Sequence, residues 1–265
     1  FTEPGSTELR VDPSDYMQSG LWGVPAVLAT STLELGAGTT VALDELVLVN
    51  GDLRITGADQ LIVGQVSIDP TTDGAVGLIT ETDTILTDSA GLNGNGATVT
   101  ITKDGSGTLT LNRASTGMQN ADWRVNAGML EATVAKPFGP DNTTVTLAGD
   151  TATLRLAQTG AIDATEIDVN VDGGGSLQMD TPTSAALGNL TLKSGTVNVN
   201  GAPSDVTFAG AALDADATEV GINNAADVII NSPLLSNGAT AALTKTGNGQ
   251  LALAQGTTNL GNVSV

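Results

Sequence analysis

Two copies of one short segment, 142 positions apart, restrict this chain to a repeat architecture. Ile101-Thr102-Lys103-Asp104-Gly105-Ser106-Gly107-Thr108-Leu109-Thr110-Leu111 returns as Leu243-Thr244-Lys245-Thr246-Gly247-Asn248-Gly249-Gln250-Leu251-Ala252-Leu253. Thr, Lys and both Gly are identical, and the first, ninth and eleventh places are apolar in each copy. A unit of this size has too little apolar surface to fold alone. It buries its apolar face by stacking on its neighbours.

Each copy ends in an apolar-x-apolar triplet, and such triplets run from Thr32 onward. They include Leu33/Leu35, Val41/Leu43, Leu53/Ile55, Val99/Ile101, Val145/Leu147, Leu154/Leu156, Leu177/Met179, Leu190/Leu192, Val197/Val199, Val228/Ile230 and Val263/Val265. Period-two alternation places apolar side chains on one face of a strand and Thr, Ser, Asn or Asp on the other. No alternating run reaches eight residues, so the strands are read as short rungs coiling around a shared core. A sandwich or closed barrel gives similar strand spacing. The repeat, the short strands and an aromatic content of only 2% against 40% hydrophobic residues favour a right-handed parallel β-helix, a β-solenoid filled by aliphatic ladders. At roughly 20–25 residues per coil, residues 32–265 make about ten coils. At about 4.8 Å per coil they form a rod of about 50 Å. Ala209–Ala217 shows no clean helical period and is read as a loop excursion.

Residues 1–31 differ, with Pro4, Pro13, Pro25, Tyr16 and Trp22 and no sustained alternation. They are read as an irregular leader, a cap over the first coil or a docking segment, with 32–265 as the solenoid. The chain opens on Phe1, and Asn262-Val263-Ser264-Val265 reads as the middle of a rung. An uncapped coil exposes strand edges and an open core. The expectation is therefore that further coils follow, or that a second copy docks there. In the second case Val263 and Val265 would meet Tyr16 and Trp22 head to tail, and a contact of that kind propagates into a filament.

The charge balance, 29 acidic against 9 basic residues for a net charge of −20, repels phosphate backbones and anionic lipid. Nucleic acid is excluded as a partner, and no segment reads as a membrane span. Without His or Cys there is no Ser-His-Asp or Cys-His nucleophile system, thiolate metal site or disulfide. Calcium, which takes hard oxygen ligands, is the candidate cofactor. The acidic turns offered for it are Asp69 with Asp73, Asp172 with Asp180, and Asp214 with Asp216 and Glu219. None has EF-hand or calcium-roll spacing, and Asp suits turns without any metal. Lys103 and Lys245 hold the same place in the repeat, which assigns them a structural role. Trp123 and Phe138 are read as plugs in a corner of the core, against a sugar-stacking platform as the other reading.

Thr102-Lys103-x-Gly105-x-Gly107-Thr108-Leu109-Thr110-Leu111-Asn112, followed by Val125-Asn126-Ala127-Gly128-Met129-Leu130, resembles the autotransporter-associated β-strand repeat of bacterial surface proteins. Phe138-Gly139-Pro140 and Thr144-Val145-Thr146-Leu147 are similar to the turn and strand that succeed that repeat. A second copy begins at Leu243, so the resemblance covers about 101–156 and 243–265. The mid-repeat Thr-Tyr-Thr-Gly is replaced here by Ser115–Asn120, without the Tyr. The resemblance implies a secreted or cell-surface β-helix that is non-catalytic, structural or adhesive, with its own copies or surface glycans and proteins as partners. The alternative is a carbohydrate-active β-helix enzyme, lyase or hydrolase, or a carbohydrate-binding module.

Overall fold

The computed structural model describes residues 8–10, 26–27, 32–35, 40–43, 46–48, 52–55, 60–63, 66–68, 75–80, 84–88, 92–94, 98–115, 117–118, 121–140, 142–180, 183–201, 203, 205–217, 219–236, 242–255, 257–258 and 262–264. Every regular element among them is a β-strand, and the strands pair in parallel to form a β-solenoid. Among the described residues no helix is long and apolar enough to cross a membrane. The chain divides into two compact units, residues 1–124 with 128–141, and residues 125–127 with 142–265.

Among the described residues of the first unit, three stacks of strands build the coils. One stack sets Glu8 beside Thr32, Thr32 beside Asp52, Asp52 beside Gly77 and Ala75 beside Thr100. A second sets Thr40 beside Gln60, Gln60 beside Ile85, Thr84 beside Leu109 and Leu109 beside Leu130. A third, shorter stack sets Ala26 beside Val47, Leu46 beside Val66 and Val66 beside Leu92. Each step returns the chain after 20 to 26 residues, the coil length expected from the sequence. Glu8–Arg10 and Ala26–Val27 are therefore rungs inside the predicted leader. Tyr16 and Trp22, its candidate docking residues, lie outside the described residues.

In the second unit the period-two pattern becomes a core of aliphatic columns. Thr143–Leu147 alternates between inward and outward positions, as do Ile167–Asp172 and Gly175–Met179, with Val145, Leu147, Val169, Val171, Leu177 and Met179 fully buried. Register places Leu154, Leu177 and Val199 in one column, all without solvent exposure. Burying each such side chain contributes about 1.5–3 kcal/mol. The next place in that column is Asn224, also fully buried, whose Nδ2 donates to the carbonyls of Ala226 (2.7 Å) and Gln250 (2.9 Å).

Two expectations are corrected here. Ala185–Gly201 is one strand of 17 residues, where the sequence reads as the two short triplets Leu190/Leu192 and Val197/Val199, with no long strand. It turns from one stack into the other without a loop. Its first half pairs with Ile167–Asp172, through a register shift at Val171/Asp172, and its second half pairs with Gly175–Met179. Gly195, at φ 76°, takes the bend. Ala209–Leu213 is likewise no loop but the second half of the strand Asp205–Leu213, paired with Asn189–Leu192 and with Leu234–Leu235. Gly210 lies against the side chains of Asn189 and Ser232, which leave little room for a side chain there.

Candidate functional site

The repeated segment folds into the same corner in both units. Lys103 and Lys245 occupy apolar columns: Lys103 lies opposite Leu78 and Lys245 opposite Ile222. Each turns its ammonium onto the following turn. Lys103 Nζ donates to the Asp104 carbonyl (2.7 Å) and the Gly105 carbonyl (2.9 Å), and Lys245 Nζ donates to the Gly247 carbonyl (2.7 Å). The first Gly of each copy has positive φ, 79° at Gly105 and 83° at Gly247. The amide of the second Gly donates to a carbonyl one coil earlier, Gly107 to Thr80 (2.8 Å) and Gly249 to Asn224 (3.0 Å). Thr80 and Asn224 are both fully buried polar residues. The motif is thus a corner clamp: a buried apolar stem carries a cation that satisfies turn carbonyls. Lys103 is fully buried, whereas Lys245 is half-buried. Lys103→Met keeps the stem and removes the donors. It is expected to cost about 1.5–3 kcal/mol in urea denaturation, and Lys245→Met about 1 kcal/mol or less.

The described candidate calcium ligands are Asp172, Asp180, Asp214, Asp216 and Glu219. Among the described residues no three acidic side chains gather as a metal group. Asp172 faces Lys193 Nζ (3.4 Å) and accepts from Ser194 Oγ (3.4 Å). Asp180 lies in the other stack and is held by Arg155 and Gln178. Asp214 closes its own turn, accepting from the Asp216 amide (3.0 Å), and Glu219 is exposed on the next strand. Asp69 and Asp73 lie outside the described residues, as does Val265; for Val263 the strand Asn262–Ser264 gives the backbone placement alone. Asp168 accepts from the Asn189 amide (2.6 Å) and from its side-chain Nδ2 (3.1 Å). Trp123 and Phe138 are each 1% exposed and meet edge to face at 5.4 Å, which places them in the core.

What the structure does assemble is a polar surface on the second unit. The outward positions Thr153, Ser176, Asn198, Asn223 and Thr246 follow one another in register across five coils. Asn198 Nδ2 donates to the Gly175 carbonyl (3.2 Å), and Asn223 Nδ2 donates to Asn198 Oδ1 (2.8 Å). Beside this column Arg155 donates through Nε to Asp180 Oδ2 (2.7 Å) and pairs with the same oxygen through its terminal nitrogen, while Gln178 Nε2 donates to Oδ1 (3.0 Å). The Gln178 hydrogen bond first, and then Arg155, hold the Asp180 carboxyl below its ordinary value of 3.8, against the opposing effect of burial. A depressed folded value means that the carboxylate contributes stability above pH 3.8, and that this contribution is lost as pH falls through the lower folded value. Asp180→Asn is expected to lower stability near neutral pH by no more than about 1 kcal/mol, since the pair is partly solvated. Thermal melts should converge with those of the parent in acid.

These pairings were missed in the sequence because their partners lie 25 positions apart. The signal was available: aligning Leu154-x-Leu156, Leu177-x-Met179 and Val197-x-Val199 puts the intervening polar residues in line. Together the fold and these ladders define a β-solenoid whose outward side chains bond from coil to coil. No family model matches the chain, and no curated protein or solved structure matches it either.

Proposed function

We propose that the chain is a non-catalytic structural or adhesive β-solenoid acting outside the cell on a bacterial surface. The observation that carries this reading is where the outward polar groups are spent. Arg155–Asp180, Asn198–Asn223, Asp168–Asn189 and Asp172–Ser194 each tie one coil to the next, which is scaffold work. The resemblance of 101–130 to the autotransporter-associated repeat supports the surface setting. The aliphatic core, compatible with secretion as an unfolded chain because it has no cysteine to oxidise, supports it too. Calcium is not needed in this reading.

The test compares retention with turnover. The full chain is immobilised and exposed to bacterial and host surface material, and in parallel it is incubated with neutral and acidic polysaccharides while new reducing ends and unsaturated products are followed. Retention without turnover is expected. Steady release of either product would replace this reading with the carbohydrate-active enzyme.

A further inference from the structure

We infer that copies of this chain join by exchanging a coil, each taking into its stack a clamp-bearing coil of the other. Two edges of the solenoid accept such a coil in the same way. Ala75–Thr80 receives Thr100–Asp104, and Glu219–Asn224 receives Ala242–Thr246. In both, a Val stands opposite the first apolar residue of the clamp, Val76 opposite Ile101 and Val220 opposite Leu243. A Gly then stands opposite the clamp Thr, and Leu78 or Ile222 opposite the clamp Lys. The match continues past the corner. Thr84 stands opposite Leu109 and Val228 opposite Leu251, each eight positions beyond the paired Val and Ile or Leu. Between the strands the second clamp Gly donates back to the same place, Gly107 to the Thr80 carbonyl (2.8 Å) and Gly249 to the Asn224 carbonyl (3.0 Å).

Main-chain hydrogen bonds hold any added strand, and alternate side chains select it, so edges that read the same pattern fit either coil. The inward sites agree as well: Val76, Leu78, Val220 and Ile222 are at most 3% exposed, and Ile101 and Leu243 are fully buried. Crossing the pairs keeps each requirement. Ile or Leu still meets Val, and Thr still meets Gly. On the outer face Asp104 meets Asn223 and Thr246 meets Ile79, so no like charges are set together. In the swapped pair, residues 242–253 of one copy cover 75–86 of the other, whose displaced 100–111 covers 219–230 of the first. All four edges are filled, and the contact closes on a dimer. Native and swapped stacks make equivalent contacts, so chain concentration decides between them. The choice falls during folding, because a repeat array nucleates at many points and an edge stands open to a neighbour before its own coil arrives. Nothing in this exchange depends on what the surface of the solenoid binds.

The chain has no Cys, so introduced thiols report the exchange. Whole chains carrying Asp104→Cys and whole chains carrying Asn223→Cys are unfolded in urea, mixed, refolded together at low and high concentration, oxidised and separated without reductant. In the single chain Asp104 stands opposite Ile79, and Asn223 opposite Thr246, so the crossed register is what sets positions 104 and 223 side by side. Expected is a disulfide-linked heterodimer whose yield rises with chain concentration. It should exceed a Thr144→Cys with Asn223→Cys control by about tenfold, because docking raises the effective concentration of one thiol at the other. Ile79→Cys with Thr246→Cys reads the other half of the exchange and serves should the first pair misfold; an excess in either crossed pair supports it. Heterodimers no more abundant than the control in both crossed pairs overturn the exchange. Asn223→Cys/Thr246→Cys in one chain should close an intrachain disulfide, and its failure to form overturns the register on which the exchange rests.

Discussion

Trp123→Ala is expected to lower stability by about 3–5 kcal/mol, among the largest effects of any substitution in the first unit. Trp123 is 1% exposed and packs its ring edge to face with Phe138, also 1% exposed, at 5.4 Å. The surrounding close-packed core relaxes only in part into the vacated volume, so a cavity remains. Equilibrium denaturation in urea reads the loss directly. The same variant separates the core plug from a sugar platform. A platform residue would be accessible, and its removal would cost binding with little change in melting.

Gly128→Val is expected to cost about 2–5 kcal/mol, by two additive routes. Gly128 has φ 67°, which a β-branched residue adopts only under strain. A Cβ there would also lie 2.5 Å from the carbonyl oxygens of both Gly105 and Gly107, the turn that Lys103 clamps. Those oxygens belong to backbone and cannot swing aside. The valine must push the corner away from its neighbour, breaking the 3.2 Å bond from the Met129 amide to the Gly107 carbonyl. Hydrogen exchange at Met129 should quicken more than exchange within Thr143–Leu147, because the damage is confined to stacked corners. Gly128→Ala is expected to show about 1–2 kcal/mol less of the effect, since the second methyl layer is absent.

Much of the solenoid was legible because its core needs only one letter in two. The triplets Leu154-x-Leu156, Ile167-x-Val169-x-Val171, Leu177-x-Met179 and Val228-x-Ile230 all lie within observed strands, with inward residues buried. What escaped is whatever depends on the neighbouring coil. Lys103 sits among Thr and Asp in sequence and resembles a surface residue. Its burial follows from its place opposite Leu78 of the preceding coil, while its ammonium is met by the carbonyls of its own turn. Ala185–Gly201 reads as two separate triplets because the alternation lapses between Leu192 and Val197, yet there the bend is absorbed within pairing on both sides. Acids in turns carried too little information to select a site. Asp172 and Asp180 are near in sequence but face different stacks, and each is paired with a basic side chain there.

The steps of the second unit have a consequence for heredity. Ala185 stands opposite Val206, and Val206 opposite Val228, so one turn of chain is a near-constant parcel of about two dozen codons whose two sides match. Duplicating or deleting one such parcel joins surfaces that already fit, with no new core to invent. Shifting by a single residue instead turns every inward side chain outward. Lineages carrying this fold should therefore differ in length by whole turns, and a frame of that size, more than any particular residue, is what selection has to preserve.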